Sequence, residues 1–377
     1  MSPGGQSPED CWSDRLLALR DRLLASPRFQ RWATRFPLTR GITRRKAREL
    51  FDVAAGFVYS QVLYACVESG LLEQLAAGAR DPRELADAIG LPADGAARLI
   101  AAAESLRLVQ RRRNGWIGLG ERGAAMLGNP GIAAMVRHHR HLYADLQDPL
   151  SLLRARRDTQ LSAYWAYARN TGRAGLDAGA TGEYSALMGI SQPLIADDIL
   201  DACSLRGRRH LLDLAGGEGV FACAALQRWP ELRATVFDLP AVADRARKTF
   251  AERGVATRAA ATGGDLFADA PPEGADTVSL VRVLHDHDDE PARAILHAAR
   301  RALGPGGRLL VAEPMSATPG AEPMGDAYFG FYLLAMGSGR PRSARELGAM
   351  IREAGFSRCR ELRTHRPLLV RVLLAEV

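Results

Sequence analysis

Lysine is nearly absent from this chain of 377 residues, and arginine supplies almost all of a basic balance that leaves a formal net charge of +7. Cysteine is scarce as well. Cys11, Cys66, Cys203, Cys223 and Cys359 stand far apart with no C-x-x-C pair, which argues against a zinc site or a disulfide framework and suits a reducing cytoplasm. No apolar run approaches the length of a bilayer span, and the Ser-, Pro- and Gly-rich N-terminus has no signal-peptide pattern, so a cytoplasmic protein is expected. Internal repeats and sustained low-complexity tracts are missing too, which sets aside solenoid architectures. Acidic residues disappear altogether between Arg28 and Arg48, where eight basic side chains surround Phe29, Trp32 and Phe36. Such a segment reads as a solvated arm, as a peripheral contact with anionic lipid, or as a nucleic-acid contact.

A chain of this length is long for one domain and suits two, each able to bury its own core. The most informative stretch is Asp213-Leu-Ala-Gly-Gly-Glu-Gly219, a glycine loop after the apolar strand His210 to Leu214. Glycines there let a ligand approach the backbone at a helix N-terminus. Gly217-Glu-Gly219-Val-Phe-Ala222 also fits the dinucleotide fingerprint, with Asp238 at a suitable distance for a ribose, so hydride transfer is a live reading. Asp213 weighs against it, because a carboxylate before the glycines favours a ligand with a cationic group over a pyrophosphate.

Further on, Ala234 to Asp238 reads as a strand ending in an acid suited to ribose hydroxyls, and Gly263-Gly-Asp-Leu-Phe267 offers an acid beside apolar residues for an adenine. Asp276 to Leu284 reads as a long strand delivering His285. Glu290 to Leu303 has helical spacing, closed by Gly304-Pro-Gly-Gly307, and Arg308 to Glu313 is a strand that again ends in an acid. Alternating strands and helices with polar residues at strand ends predict an open parallel α/β sheet with its ligands along that edge.

These motifs carry a resemblance. Phe237-Asp-Leu-Pro240, the GGDLF stretch, Leu284-His-Asp286, the Pro-Gly-Gly turn and Glu313-Pro314 occur in the order and spacing of the plant-type and hydroxyindole-type O-methyltransferases, class I enzymes dependent on S-adenosylmethionine. Gly56 to Val62, Met135 to His139, Asp148-Pro149, Val281 to Leu284, Asp326 to Tyr332 and Ser338 to Arg340 are similar to the bacterial carotenoid O-methyltransferases, which methylate the 1-hydroxyl of hydroxyneurosporene or demethylspheroidene in phototrophic bacteria. The likeness runs from about Arg44 to the C-terminus. It implies S-adenosyl-L-methionine as cofactor, held by Ala215, Gly216, Gly217, Asp238, Asp265 and Leu266. It also implies a homodimer, a Rossmann-like catalytic domain, His285 as general base and Glu313 as the carboxylate that orients it. His287 is a second candidate base, and Phe329, Tyr332 and Met336, with Leu333 between them, recur at the helical spacing of either ordinary core or an acceptor wall. His138, Tyr143, Trp165 and Tyr167 are further candidates for that wall.

The expected domains are a basic arm over 1–48, a helical winged-helix dimerisation domain over 49–175 and a catalytic domain over 176–377. A helical stripe through Ala54, Val58, Val62, Ala65 and Cys66, a helix-turn-helix pattern from Asp81 and a hairpin at Trp116 to Leu119 carry the second of these. Arg111-Arg-Arg113 beside that hairpin opens a DNA-binding or ligand-sensing alternative, which the acids Asp94 and Glu104 in the recognition-helix position oppose; no nucleic acid is expected. Ala168 to Gly182 reads as the joint between domains and Tyr184 to Leu200 as the helix after it. Another apolar phenol or a polyketide is the alternative acceptor. Departures from the family pattern stand at Ala215, which needs a negative φ if it is to replace glycine without strain, at Val281 in place of a basic residue, and at Pro341 in place of a glutamate. The last leaves the base with one flanking carboxylate besides its neighbour Asp286.

Overall fold

The computed structural model describes residues 12–154, 158–164, 189 and 192–377 and divides into two compact units, Met1–Ala124 and Ala125–Val377. The joint expected at Ala168 to Gly182, the boundary at 175, Trp165 and Tyr167, and the start of the helix expected from Tyr184 fall outside the described residues.

The first unit opens with helices α1 (Trp12–Ala25), α2 (Pro27–Arg35) and α3 (Arg40–Glu68). Ser26 caps α2 by accepting from the Phe29 N–H, with Pro27 in the first turn where no amide is needed. Helix α3 runs without a break through residues 48 and 49. Of its apolar stripe only Cys66, with neighbouring Val67, is buried, while Ala54 and Val58 stay exposed. It is also long and apolar enough, by length and composition alone, to cross a bilayer, which corrects the expectation that no such run exists. Helices α4 (Pro82–Ala88, capped by Asp81) and α5 (Ala93–Ser105) then pack on each other, and Leu71, Leu72, Leu75 and Ile117 are buried in the same unit. Strands β1 (Val109–Arg111) and β2 (Ile117–Leu119) pair antiparallel as the expected wing. A short helix, α6 (Glu121–Leu127), spans the division.

The second unit begins with α7 (Pro130–Asp145), α8 (Pro149–Arg154), α9 (Gln160–Tyr164) and α10 (192–202). Then β3 (His210–Leu214), α11 (Val220–Arg228), β4 (Arg233–Asp238), α12 (Pro240–Glu252), β5 (Ala259–Gly263), β6 (Ala275–Val281), α13 (Asp289–Ala302) and β7 (Leu303–Glu313) alternate. A π-helical turn, Pro323–Phe329, leads into α14 (Gly330–Met336), and α15 (Ala344–Glu353), β8 (Ser357–Leu362) and β9 (Arg371–Glu376) close the chain. The sheet order is β5-β4-β3-β6-β7-β9-β8, with β3 to β7 parallel and β9 inserted antiparallel between β7 and β8. It is a Rossmann-like α/β fold with one reversed strand that the reading of a wholly parallel sheet missed.

Both faces of the sheet are covered, as the unbroken apolar strands require. Leu211, Val236 and Leu310 point into one core, with α10, α11 and α12 over them, while Leu212, Val278 and Leu309 point into the other, under α13 and α15. Two expected boundaries move. Strand β6 ends at Val281, so His285 lies on a single-turn helix, Leu284–Asp286, beyond the strand, and the glycines at 304–307 open β7 instead of forming a separate turn.

Candidate active site

Strand β3 pairs with β4 on one side and β6 on the other, so the loop leaving it stands in the middle of the carboxyl-end edge, where open α/β sheets bind ligands. The loop is tightly wound. Gly217 and Gly219 have φ of +59° and +76°, and Ala215 has +51°, so the expected negative φ is not found and an alanine occupies the left-handed region at a cost of roughly 1–2 kcal/mol. A Cβ on Gly216 would lie 2.5 Å from Asp213 Oδ2, whereas one on Gly217 would meet nothing within 4 Å. The glycine backbone at 217 is open to an approaching ligand.

Asp213 is 1% exposed. Its Oδ1 accepts from Ser279 Oγ at 2.6 Å, and its Oδ2 is buried with no hydrogen-bond partner. Burial, opposed by the Ser279 bond and helped by the Asp238 charge, pushes this carboxyl up to about 7. At the end of β4, Asp238 accepts from the Gly217 N–H at 2.8 Å and the Leu239 N–H at 2.7 Å, and burial raises it to about 6 despite those bonds. Asp265 Oδ1 accepts from the Phe267 N–H at 2.9 Å, and Leu266 packs beside the core under α13. An open glycine backbone, a buried carboxylate oxygen in want of a cation, and an acid one strand away suit an adenosyl ligand that carries a positive charge.

The second cluster stands where β6 and β7 end. After Val281 the chain turns through Arg282 at φ +59°, and the Val283 and Leu284 N–H groups donate to Glu313 Oε1 at 2.9 and 2.7 Å. The other oxygen, Oε2, receives His285 Nδ1 at 2.5 Å, so a single carboxylate at the tip of β7 fixes both the backbone turn and the ring. This leaves Nε2 as the proton acceptor of the neutral ring. Asp286 Oδ1 lies 3.1 Å from Nε2, within ion-pair distance but without hydrogen-bond alignment. Burial works against a charge on His285, yet the Asp286 and Glu313 carboxylates outweigh it and hold the imidazole above its usual range. Asp286 is pushed up to about 6 by its own burial, which the neighbouring His285 opposes and Glu313 assists. His285 therefore has a second carboxylate beside it, although Pro341 supplies none. Burial lowers His287 to about 4, and its ring meets Phe267 edge-on.

The acceptor candidates collect around α14. The ring of Phe329 meets that of His285 edge-on at 5.9 Å between centroids, the contact that ties this helix to the base. Tyr332, Leu333 and Met336 are buried with Leu142, Leu152 and Leu161 and serve as core behind Phe329. Two residues of α7 reach this region: His138 Nε2 lies 2.8 Å from the hydroxyl of Tyr332 on α14 and His139 Nε2 2.7 Å from that of Tyr328 on the π-helical turn. Burial lowers both histidines to about 4, so they are neutral partners. His139 and Tyr328 were not singled out in the sequence, nor was Arg342, whose guanidinium is buried under the catalytic turn. Their places within the Met135 to His139 and Asp326 to Tyr332 matches were the only hints of the first two. Val281, the other departure, is an ordinary core residue.

Residues 143–357 match the family model described as the O-methyltransferase domain, and residues 51–124 match that of the O-methyltransferase dimerisation domain. The chain is 43% identical to a demethylspheroidene O-methyltransferase of Cereibacter sphaeroides over 94% of this chain and 93% of that one. It is 41% identical to a protein of the same description from Rhodobacter capsulatus, over 94% and 88%. Among solved structures it is similar to CalO1, a methyltransferase of calicheamicin biosynthesis in its SAH-bound form, with a TM-score of 0.73 and 26% identity over 88% of this chain and 98% of that one.

Proposed function

This chain belongs to the O-methyltransferase family that carries an N-terminal dimerisation domain, and from that premise we propose that it methylates the 1-hydroxyl of an acyclic carotenoid of the hydroxyneurosporene or demethylspheroidene type. It is an S-adenosyl-L-methionine-dependent O-methyltransferase and a homodimer. The observation that carries the acceptor is the similarity over nearly the whole length to relatives named for demethylspheroidene, together with the apolar wall of Phe329 and α14 beside the base.

When bound, S-adenosylmethionine supplies a sulfonium methyl as the electrophile. Gly216 and Gly217 would lend it their backbone, Asp213 and Asp238 would receive its amino group and ribose, and Asp265 with Leu266 would flank the adenine. His285 Nε2 takes the acceptor's hydroxyl proton. Glu313 holds the ring in the tautomer that leaves Nε2 open, and with Asp286 it stabilises the imidazolium that results. A tertiary alcohol is too weak an acid to be ionised beforehand by imidazole. Proton removal therefore runs with transfer, and the apolar wall holds the alcohol in line.

The first unit supports a location at the membrane surface. Trp12, Leu16, Trp32, Phe36 and Leu38 are exposed among arginines, with Trp32 stacked on Phe36 at 5.0 Å. This mixture suits peripheral contact between a cytoplasmic enzyme and an anionic bilayer, where a polyene is collected. The acceptor is tested by incubating the enzyme with labelled S-adenosylmethionine and either hydroxyneurosporene or a panel of phenols. Label is expected in the carotenoid. Label confined to phenols would reassign the acceptor, and label in none would remove the activity.

A further inference from the structure

We infer that Arg342 is a positioning residue for methyl transfer, a buried guanidinium that holds the turn carrying His285. The inference rests on the reading of His285 as base.

The turn from Leu284 to Asp289 has few bonds of its own. After β6 ends, only the Asp286 and His287 N–H groups close short-range contacts, at 3.3 Å each, to Val283 and Leu284. Three of its carbonyls, those of Leu284, Asp286 and His287, accept from side chains of the segment between α14 and α15. Arg342 Nη1 donates to the Leu284 carbonyl at 2.7 Å and Nη2 to the His287 carbonyl at 2.8 Å, so one planar fork spans the residue pair that contains the base. The Arg342 Nε and Nη2 also donate to Asp289 Oδ1, at 3.0 and 2.7 Å. Ser338 Oγ donates to the Asp286 carbonyl at 2.9 Å, and Gly339, at φ +82°, lies so close that a Cβ there would collide with the His285 carbonyl.

Arg342 is 2% exposed, and burying a guanidinium is costly unless its charge is paired and its donors are used. Asp289 supplies the charge, and the two carbonyls take remaining donors. An ammonium cannot reproduce this, because its donors do not lie in one plane at fixed separation. Arg340 shares Asp289 from the solvent side and also binds Glu346. The clasp thus fixes the backbone around His285 while Glu313 fixes its ring. Because it follows α14 directly, it also sets the base against the wall that carries Phe329. The charged and titratable groups facing His285 are Asp286 on its own turn, Glu313 from β7 and Arg282 from the end of β6, with His287 beyond.

The test compares wild type, Arg342→Lys, Asp289→Asn and His285→Ala as full-length dimers, using demethylspheroidene or whichever acceptor the panel selects. For Arg342→Lys, kcat is expected to fall roughly 10–100-fold, because a base displaced by about 1 Å loses that much. Binding of S-adenosylhomocysteine stays within about twofold, since the cofactor loop lies on β3 and β4. The acid limb of the kcat profile moves to lower pH, because a loosened ring loses part of its pairing with the carboxylates. A kcat within threefold of wild type, or a loss that follows only the folded fraction with the acid limb unmoved, overturns the inference. Should Arg342→Lys not fold, Asp289→Asn decides: it leaves the guanidinium unanchored, so a smaller loss with the same shift supports the inference and an unmoved limb overturns it. His285→Ala separates the two readings. If it is inactive while Arg342→Lys is unimpaired, this inference fails alone; if it keeps full turnover, the base reading fails first.

Discussion

Glu313 decides the protonation chemistry, since one of its oxygens binds two backbone amides and the other the imidazole. In Glu313→Gln the amide keeps a hydrogen bond but not the charge that favours the imidazolium. The His285 pKa therefore falls, and the acid limb of activity shifts to lower pH by about one unit or more. Turnover falls at least about a hundredfold, as when a base loses its orienting carboxylate. A pH-rate profile with an unmoved limb would refute this. At Ala215, φ of +51° is strained for a residue with a Cβ, so Ala215→Gly is expected to raise stability by about 1 kcal/mol, read as a higher Tm. An unchanged or lower Tm would show that the strain is relieved elsewhere. His285 and Glu313 stood out in the sequence as polar residues following apolar runs at the ligand edge, and their pairing was implied by the family resemblance. Arg342 was not, because a buried arginine carries no apolar period and its partners are carbonyls of a distant turn.

Among the elements, the π-helical turn Pro323–Phe329 carries Phe329 of the proposed acceptor wall, and such turns are often found at functional sites. It is stapled to α7 by His139 and Tyr328. Removing the imidazole in His139→Leu strands a half-buried hydroxyl at a cost of about 1 kcal/mol and loosens Phe329, so the acceptor KM rises while binding of S-adenosylhomocysteine is unchanged. The double variant His139→Leu/Tyr328→Phe removes both partners and is expected to recover most of the lost stability. Additive losses in the cycle would contradict the pairing. Strands β3 and β4 were legible nearly to the residue because both faces of the sheet are covered and their apolar runs are unbroken. The end of β6 was not: Val283 and Leu284 continue the apolar run, yet they are buried in a turn whose amides are claimed by Glu313.

At the scale of the whole molecule, α3 leaves Phe51, Val53 and Phe57 exposed within the segment matched by the dimerisation domain. An apolar face of this kind is covered in a dimer. Phe57→Glu is expected to shift sedimentation from dimer towards monomer, and an unchanged dimer would place the interface elsewhere. The helical stripe read from the sequence was real in period, and the sequence did not show that, of its residues, only Cys66, with its neighbour Val67, is buried within the chain. Charge reversal of Arg28, Arg31 and Arg35 is expected to weaken binding to anionic vesicles while leaving transfer to detergent-dispersed acceptor intact, and vesicle binding that persists would discount the arm.

The most direct measurement is a single turnover with saturating S-adenosylmethionine and demethylspheroidene, comparing the wild-type enzyme with His285→Ala. Wild type should place the methyl on the 1-oxygen, with the variant slower by roughly 10²–10⁴ and S-adenosylhomocysteine bound equally by both. Equal rates from the two proteins, or a wild type whose labelled methyl never reaches an oxygen, would contradict the account.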